Sequence, residues 1–292
     1  MTILSLDPVS NQTPTALRSF LEQCQKAASK SHREQLVSIS LEMDALDPLA
    51  VLASIFEPGE RHFYVERPVG NLAIAGAEAV LEFTATGPDR FVECQAFVDD
   101  VLANAIVVGD QGVPFAGPHF FTAFSFYDEV AADEPFPAAS VFVPRWQVAT
   151  RNDRTVAVAN LVISEETDVT AAADKVWRAH SKFSGFSYGD RIFTPDENNP
   201  RVNVSGHSSE ENYCEMVQRA VDRIEAGEFD KIVLARAKDL VADESLHPMR
   251  ALHGLRQRFK ECFAFSLANG DGQSFFGASP ERLVRGYGGM LM

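Results

Sequence analysis

Lys231 and Glu281 are the two residues of this chain whose types and setting best suit proton transfer. Lys231 opens the apolar run Ile232, Val233, Leu234 and Ala235 within FDKIVLAR, and Glu281 follows Ser279 and Pro280 within GASPERLV, 50 positions later. A base and an acid, each beside a short β-rich segment, are what an enzyme working by paired proton transfer needs.

The run after Lys231 reads as a strand apolar on both faces, so the lysine would stand where the chain leaves solvent and enters a core. Desolvation there favours the neutral amine, which can act as a base. The same pattern fits a lysine that lays its stem on the core and keeps its head in water, with Arg236 solvating the far end of the strand. Pro280 presses Ser279 into extended backbone and Leu283 and Val284 follow, so Glu281 is expected at a sheet rim near Phe275 and Phe276. A carboxyl held protonated there is a general acid, a role contributing roughly a hundredfold to ten-thousandfold in rate. A solvated turn glutamate would show the same pattern.

Other chemistry is less well served. The glycines over 286–289 precede no Lys-Ser or Lys-Thr pair and open no helix, which argues against a phosphate loop. Seven histidines are scattered and read as structural. Cys24, Cys94, Cys214 and Cys262 form no CxxC pair and have no histidine at metal spacing, which points to reduced thiols and, with no secretory signal at the N-terminus, to the cytoplasm.

The elements that would position the two residues follow from periodicity. Thr13 and Pro14 suit the start of a helix whose face carries Leu17, Phe20, Leu21 and Cys24. Val37, Ile39, Leu41 and Met43 alternate as in a half-buried strand, and a short helix is expected from Asp47 and Pro48. Separate short strands are expected over 62–66, 72–75 and 79–83, broken by Pro68, Gly70 and Gly76. A helix is expected over 90–107, strand over 119–127, 140–144 and 146–163 with a turn at 151–154, and a helix over 171–182. The stretch 183–206 reads as a linker.

Ser208 and Glu211 have capping-box spacing ahead of a helix ending at Gly227, which leads into the strand of Lys231. A helix over 248–259 precedes strands over 263–268 and 274–278, with Asn269, Gly270, Asp271 and Gly272 as the hairpin turn. Hairpins outnumber strand–helix alternation, so the fold class is α+β, with layered and mainly antiparallel sheets under outer helices.

Composition agrees with a folded protein large enough for two domains: 292 residues, 46% apolar, with 22 phenylalanines. No apolar run approaches membrane-spanning length. A net charge of −15, from 41 acidic and 26 basic residues, would repel nucleic acid and anionic membranes, so an anionic substrate must meet local cations or a metal.

At the two motifs the chain resembles the chorismate-utilising enzymes, and among them the isochorismate synthases. FDKIVLAR resembles the family strand whose lysine activates water, and FAFSLANGDGQSFFGASPERLVR the hairpin whose glutamate is the general acid. HFFTAFSFYDE resembles a looser motif of the family's N-terminal half. The resemblance implies an N-terminal α+β region over 1–206 and the start of the chorismate-binding catalytic region over 207–292. It further implies that Lys231 deprotonates a water attacking C2 of chorismate while Glu281 protonates the hydroxyl leaving C4. A lysine at position 231, where the ammonia-using branches usually carry glutamine, makes those branches the poorer match.

By the same resemblance Mg²⁺ would clamp the substrate carboxylate, but the family's metal-binding glutamates and carboxylate-gripping basic residues would lie beyond Met292. The 292 residues alone are therefore expected to be inactive, with unpaired sheet edges prone to aggregation, unless a second polypeptide supplies the remainder. A salicylate synthase, which shares both residues and then eliminates pyruvate, and a non-catalytic fragment are the alternatives.

Overall fold

The computed structural model describes residues 2–4, 13–55, 57–184, 202–205, 210–243, 246–282, 284, 286–287 and 290–291. Contacts divide the chain into two units, Met1–Phe193 with Pro248–Met292, and Thr194–His247. This division by contacts differs from the boundary expected at 206/207.

In chain order the first unit begins with strand β1 (Thr2–Leu4), helix α1 (Pro14–Ser31), β2 (Gln35–Met43), α2 (Pro48–Ile55), β3 (Arg61–Arg67) and β4 (Leu72–Ala85). It continues through α3 (Arg90–Ala103), β5 (Ile106–Gly109), β6 (Phe121–Phe124), β7 (Ala139–Arg151), β8 (Arg154–Ile163) and α4 (Val169–Ser184). The second unit holds β9 (Val202–Ser205), α5 (Glu210–Glu225) and β10 (Asp239–Ala242). The chain returns to the first unit as α6 (Pro248–Arg258), β11 (Phe263–Asn269), β12 (Ser274–Ser279) and the small strands β13 (Gly286–Tyr287) and β14 (Met290–Leu291).

One sheet organises the first unit. Its order is β1-β5-β2-β8-β7-β4-β3-β11-β12, with β6 added on β7. β5 runs parallel to β1 and β2, and the other pairings in this sheet are antiparallel. The α+β layering expected from the hairpin-rich pattern is thus what forms. On one face, Phe20, Leu21 and Cys24 of α1 and Val176 of α4 pack on Val37, Trp146 and Leu161. Farther along that face Leu49 and Leu52 of α2 meet Met249 and Leu252 of α6 over Tyr64, Ala75 and Ala264. Ile74, Phe142 and Val156 look the other way, toward Val113 and Phe121.

Local chemistry sets the ends of these elements. Thr13 Oγ1 accepts from Ala16 N at 3.2 Å and Pro14 takes the first helical position, so α1 starts where expected. β7 and β8 turn through Asn152 and Asp153 at φ 50° and 64°, the paired positive angles that match the twist of a two-residue hairpin. In the β11–β12 hairpin Asn269 Oδ1 accepts from Asp271 N and Gln273 N at 2.8 and 3.2 Å.

Two expectations about this unit are corrected. The strands foreseen over 72–75 and 79–83 are one strand, β4, because Gly76 makes a close approach rather than a turn: a Cβ there would lie 2.3 Å from the Phe121 ring. The break is instead a bulge between Ala79 and Leu81, beside Glu78 at φ 56°. The helix foreseen over 90–107 stops at Ala103 and residues 106–109 join the sheet as β5. There Gly109, at φ 91°, passes so close to β2 that a Cβ would fall 1.9 Å from Ser40 O.

In the second unit β9 and β10 pair antiparallel. The strand expected around Lys231 does not form: residues 231–238 have no regular secondary structure. Apolar character alone does not make a strand; it needs a neighbour for its backbone groups, and none pairs with this run among the described residues. Of the expected linker, residues 185–201 and 206 lie outside the described residues, as does Ser208 of the capping box, while 202–205 form β9. No helix of the described residues is long and apolar enough to cross a membrane.

Candidate active site

Lys231 is reached from α5. Gly227, at φ 76°, ends that helix, with its N–H on Ile224 O and the Glu228 N–H on Arg223 O, both at 3.0 Å. Arg223 then reaches forward, pairing with Glu228 at 2.6 Å and lying over the Phe229 ring at 4.8 Å. These contacts set the direction in which the chain leaves the helix. Beyond them Lys231 is exposed, as are Ile232 and Val233, the latter 80% accessible. The burial that was to desolvate the lysine is not present within this unit. Arg236 stacks on the Tyr213 ring of α5 at 4.9 Å rather than closing a strand.

Glu281 lies two residues past the end of β12 and is also exposed. Its support is the β11–β12 hairpin, in full register from Phe263↔Ser279 to Ala268↔Ser274. Phe275 packs on Phe265 at 5.5 Å between centroids, yet stays 60% exposed. Lys231 is carried by the second unit and Glu281 by the first.

The most organised polar group in the first unit lies behind this hairpin, and sequence reasoning missed it. Arg256, in the last turn of α6, donates from Nη2 to Asp47 Oδ2 at 2.6 Å and from Nη1 to Asp47 Oδ1 at 2.9 Å, and lies 3.3 Å from Glu66 Oε2. Tyr64, fully buried, donates its hydroxyl to Glu66 Oε2 at 2.5 Å. Arg256 Nη2 also donates to His253 Nδ1 at 3.1 Å, so that nitrogen is the unprotonated one. Burial works against the Arg256 charge, but the hydrogen bonds and charge of Asp47, helped by Glu66, hold its pKa above the ordinary arginine value. Burial foremost, then the Glu66 charge, raises that of Tyr64.

The cluster therefore ties α6 to the start of α2 and to β3, and α6 leads directly into β11. Its one visible signal was Asp47 ahead of Pro48; the others are brought together by pairing of distant strands. On the same face of β3, His62 Nε2 meets Ser266 Oγ of β11 at 2.9 Å, with both residues about 1% exposed. Burial pushes the His62 pKa down to about 4. A serine–histidine pair so enclosed cannot meet a substrate, and its work is to hold β3 to β11.

Glu78, at the bulge, accepts from Trp146 Nε1, Arg145 Nε and Lys175 Nζ at 2.7, 2.9 and 3.1 Å. These bonds fasten α4 and β7 to β4. Among the described residues no group of three or more His, Cys, Asp or Glu side chains could hold a metal ion. The residues in view do not fit the Mg²⁺ that the family resemblance implies.

Comparison with known proteins gives a consistent result. Residues 19–292 match the family model described as chorismate binding enzyme. The chain is 24% identical over 293 residues to the isochorismate synthase MenF of Bacillus subtilis, covering 95% of this chain and 59% of that protein. It is 27% identical over 289 residues to a salicylate biosynthesis isochorismate synthase of Pseudomonas aeruginosa, covering 96% and 57% respectively. In structure it is similar to the menaquinone-specific isochorismate synthase MenF of Escherichia coli, with a TM-score of 0.55 and 19% identity over 92% of this chain and 56% of that one. The chain thus spans somewhat under three fifths of the length of these relatives.

Proposed function

The chain belongs to the chorismate binding enzyme family, and we propose that it forms the first part of an isochorismate synthase, with residues 207–292 opening the catalytic region. The observation that carries this reading is the family match over residues 19–292, combined with a lysine and a glutamate at the two motif positions. Isochorismate is the product named in both relatives' descriptions, which favours it over salicylate.

In the proposed reaction Lys231 takes a proton from the water that attacks C2 of chorismate. Glu281 gives a proton to the hydroxyl leaving C4. One water enters and one departs, so the change is an isomerisation without redox. General acid and base of this kind supply roughly 10²–10⁴-fold each. The setting is cytoplasmic, in keeping with four free cysteines.

On their own, the 292 residues are inactive in this reading. Lys231 is exposed on an irregular segment, and the donor groups in view do not make a metal site. An acid and a base without the charges that stabilise a dianion lack the main electrostatic contribution. Activity then requires the remaining part of the family's length, in the same polypeptide or supplied by a second one.

The test compares chorismate turnover by the 292-residue chain with that of a longer product expressed by reading the gene past codon 292. The short chain should form no isochorismate. The longer one should form it and lose at least about a hundredfold in kcat with either Lys231→Ala or Glu281→Gln. Turnover by the short chain would overturn the inactivity, and unchanged rates in both variants would overturn the assigned roles.

A further inference from the structure

A separate surface of the first unit is built for contact. It joins the first turn of α3 to the turn that follows β6. Phe91 packs on Phe124 at 4.7 Å, and Arg90 holds its guanidinium 4.3 Å over the Phe91 ring while donating from Nη1 to Gly87 O at 3.1 Å. Gly87 N donates to Asp128 O at 2.7 Å, and Ser125 N to Ala138 O at 2.9 Å. The turn is thereby fixed from both sides, yet its rings face solvent: Phe126 is 92% exposed and Tyr127 72%, with Val92 and Phe91 also open. Together these side chains present roughly 500 Å² of mainly aromatic surface, at the upper range of what a monomer leaves uncovered without a purpose.

The rim identifies the occupant. Asp89 and Glu93 beside Phe91, and Asp128 and Glu129 after Tyr127, are exposed, and Arg90, mostly buried, is the only lysine or arginine within 87–93 and 124–129. A second copy of this chain would bring the same acidic rim against it, in a protein of net charge −15. The patch also falls short of the ~800 Å² per partner of a standard stable interface.

We propose that this surface docks a basic segment of a partner protein, in which arginine or lysine side chains flank an apolar anchor. The anchor covers Phe91 and Phe124. The cations lie over the open faces of Phe126 and Tyr127, within reach of the carboxylates of Asp128 and Glu129. The docking is independent of the chorismate chemistry.

Fluorescence anisotropy with a labelled octapeptide of alternating Arg and Leu tests this, using the glutamate-for-arginine peptide as control. The unmodified chain should bind the basic peptide and not the acidic one. The surface variant Phe126→Ser/Tyr127→Ser should weaken binding on the order of tenfold, with an unchanged circular dichroism spectrum. Asp128→Asn/Glu129→Gln should weaken it less and flatten its salt dependence. Absence of binding, or equal binding by the aromatic variant, would overturn the proposal, the latter by reducing the effect to general attraction to an acidic protein. Sedimentation showing a dimer that the aromatic variant dissolves would also overturn it, by making a second copy the occupant.

Discussion

Lowering the pH should weaken the first unit in part through the buried histidine His62, by an amount its environment lets one calculate. His62 sits at 1% exposure between β3, β11 and the helices above them, with Nε2 on Ser266 Oγ. Burial depresses its pKa from 6.5 to about 4. Between those values the unfolded chain binds a proton that the folded chain refuses, so stability rises with pH across the interval. The contribution is complete above about pH 6.5 and is lost as the pH falls toward 4. Each pH unit crossed between the two values is worth about 1.4 kcal/mol, so the loss is about 2 kcal/mol by pH 5 and about 3 kcal/mol once titration is complete.

The assay is urea unfolding followed by tryptophan fluorescence at intervals from pH 7.5 to 4.5, Trp146 being part of the core under α1 and α4 and Trp177 lying in α4 of the same unit. Carboxylates titrate over part of the same range, so the comparison is with His62→Gln, whose amide can still reach Ser266. Unfolding free energy of the unmodified chain should fall by about 2 kcal/mol more than that of the variant between pH 7.5 and 5. Parallel decline in the two proteins would refute the claim that His62 is held neutral by burial.

Gly109→Ala should destabilise by at least about 3 kcal/mol, because the new methyl would fall 1.9 Å from Ser40 O at a residue with φ 91°; the midpoint of urea unfolding measures it. Arg256→Gln should cost about 3 kcal/mol by leaving Asp47 and Glu66 without their shared cation, and faster hydrogen exchange in α6 and β11 would show where the loss acts. Iodoacetamide on the native chain should label exposed Cys214 well before Cys24, which is buried and whose thiol is pushed up to about 11; peptide mass spectrometry after short exposure reads the order.

Much of the first unit was legible in the amino-acid sequence because its signals are local. The strand over 37–43 was legible from its two-residue alternation, although Ser38 and Ser40, expected on an open face, are fully buried, and Thr13 with Pro14 follows from the unpaired donors of a helix start. Asn152 with Asp153, and Gly270 with Gly272 in the turn after Asn269, carry the backbone freedom that their turns demand. The motifs around Lys231 and Glu281 were equally legible, since a family pattern is a property of residue order. What a residue at either position meets in space is another matter.

That part was decided by tertiary structure. Gly76 looked like a chain break and is a point of close packing, because Phe121, which arrives from 45 residues away, needs the space of its missing side chain. The run after Lys231 looked like a core strand and is irregular, because burial and strand pairing are supplied by neighbours and cannot be encoded by apolar residues alone. The Arg256 cluster joins Asp47, Glu66 and Arg256 across as many as 209 positions, a separation at which no local periodicity operates. Sequence order determined which side chains could carry a proton, and the pairing of distant strands and helices determined which charges are buried together.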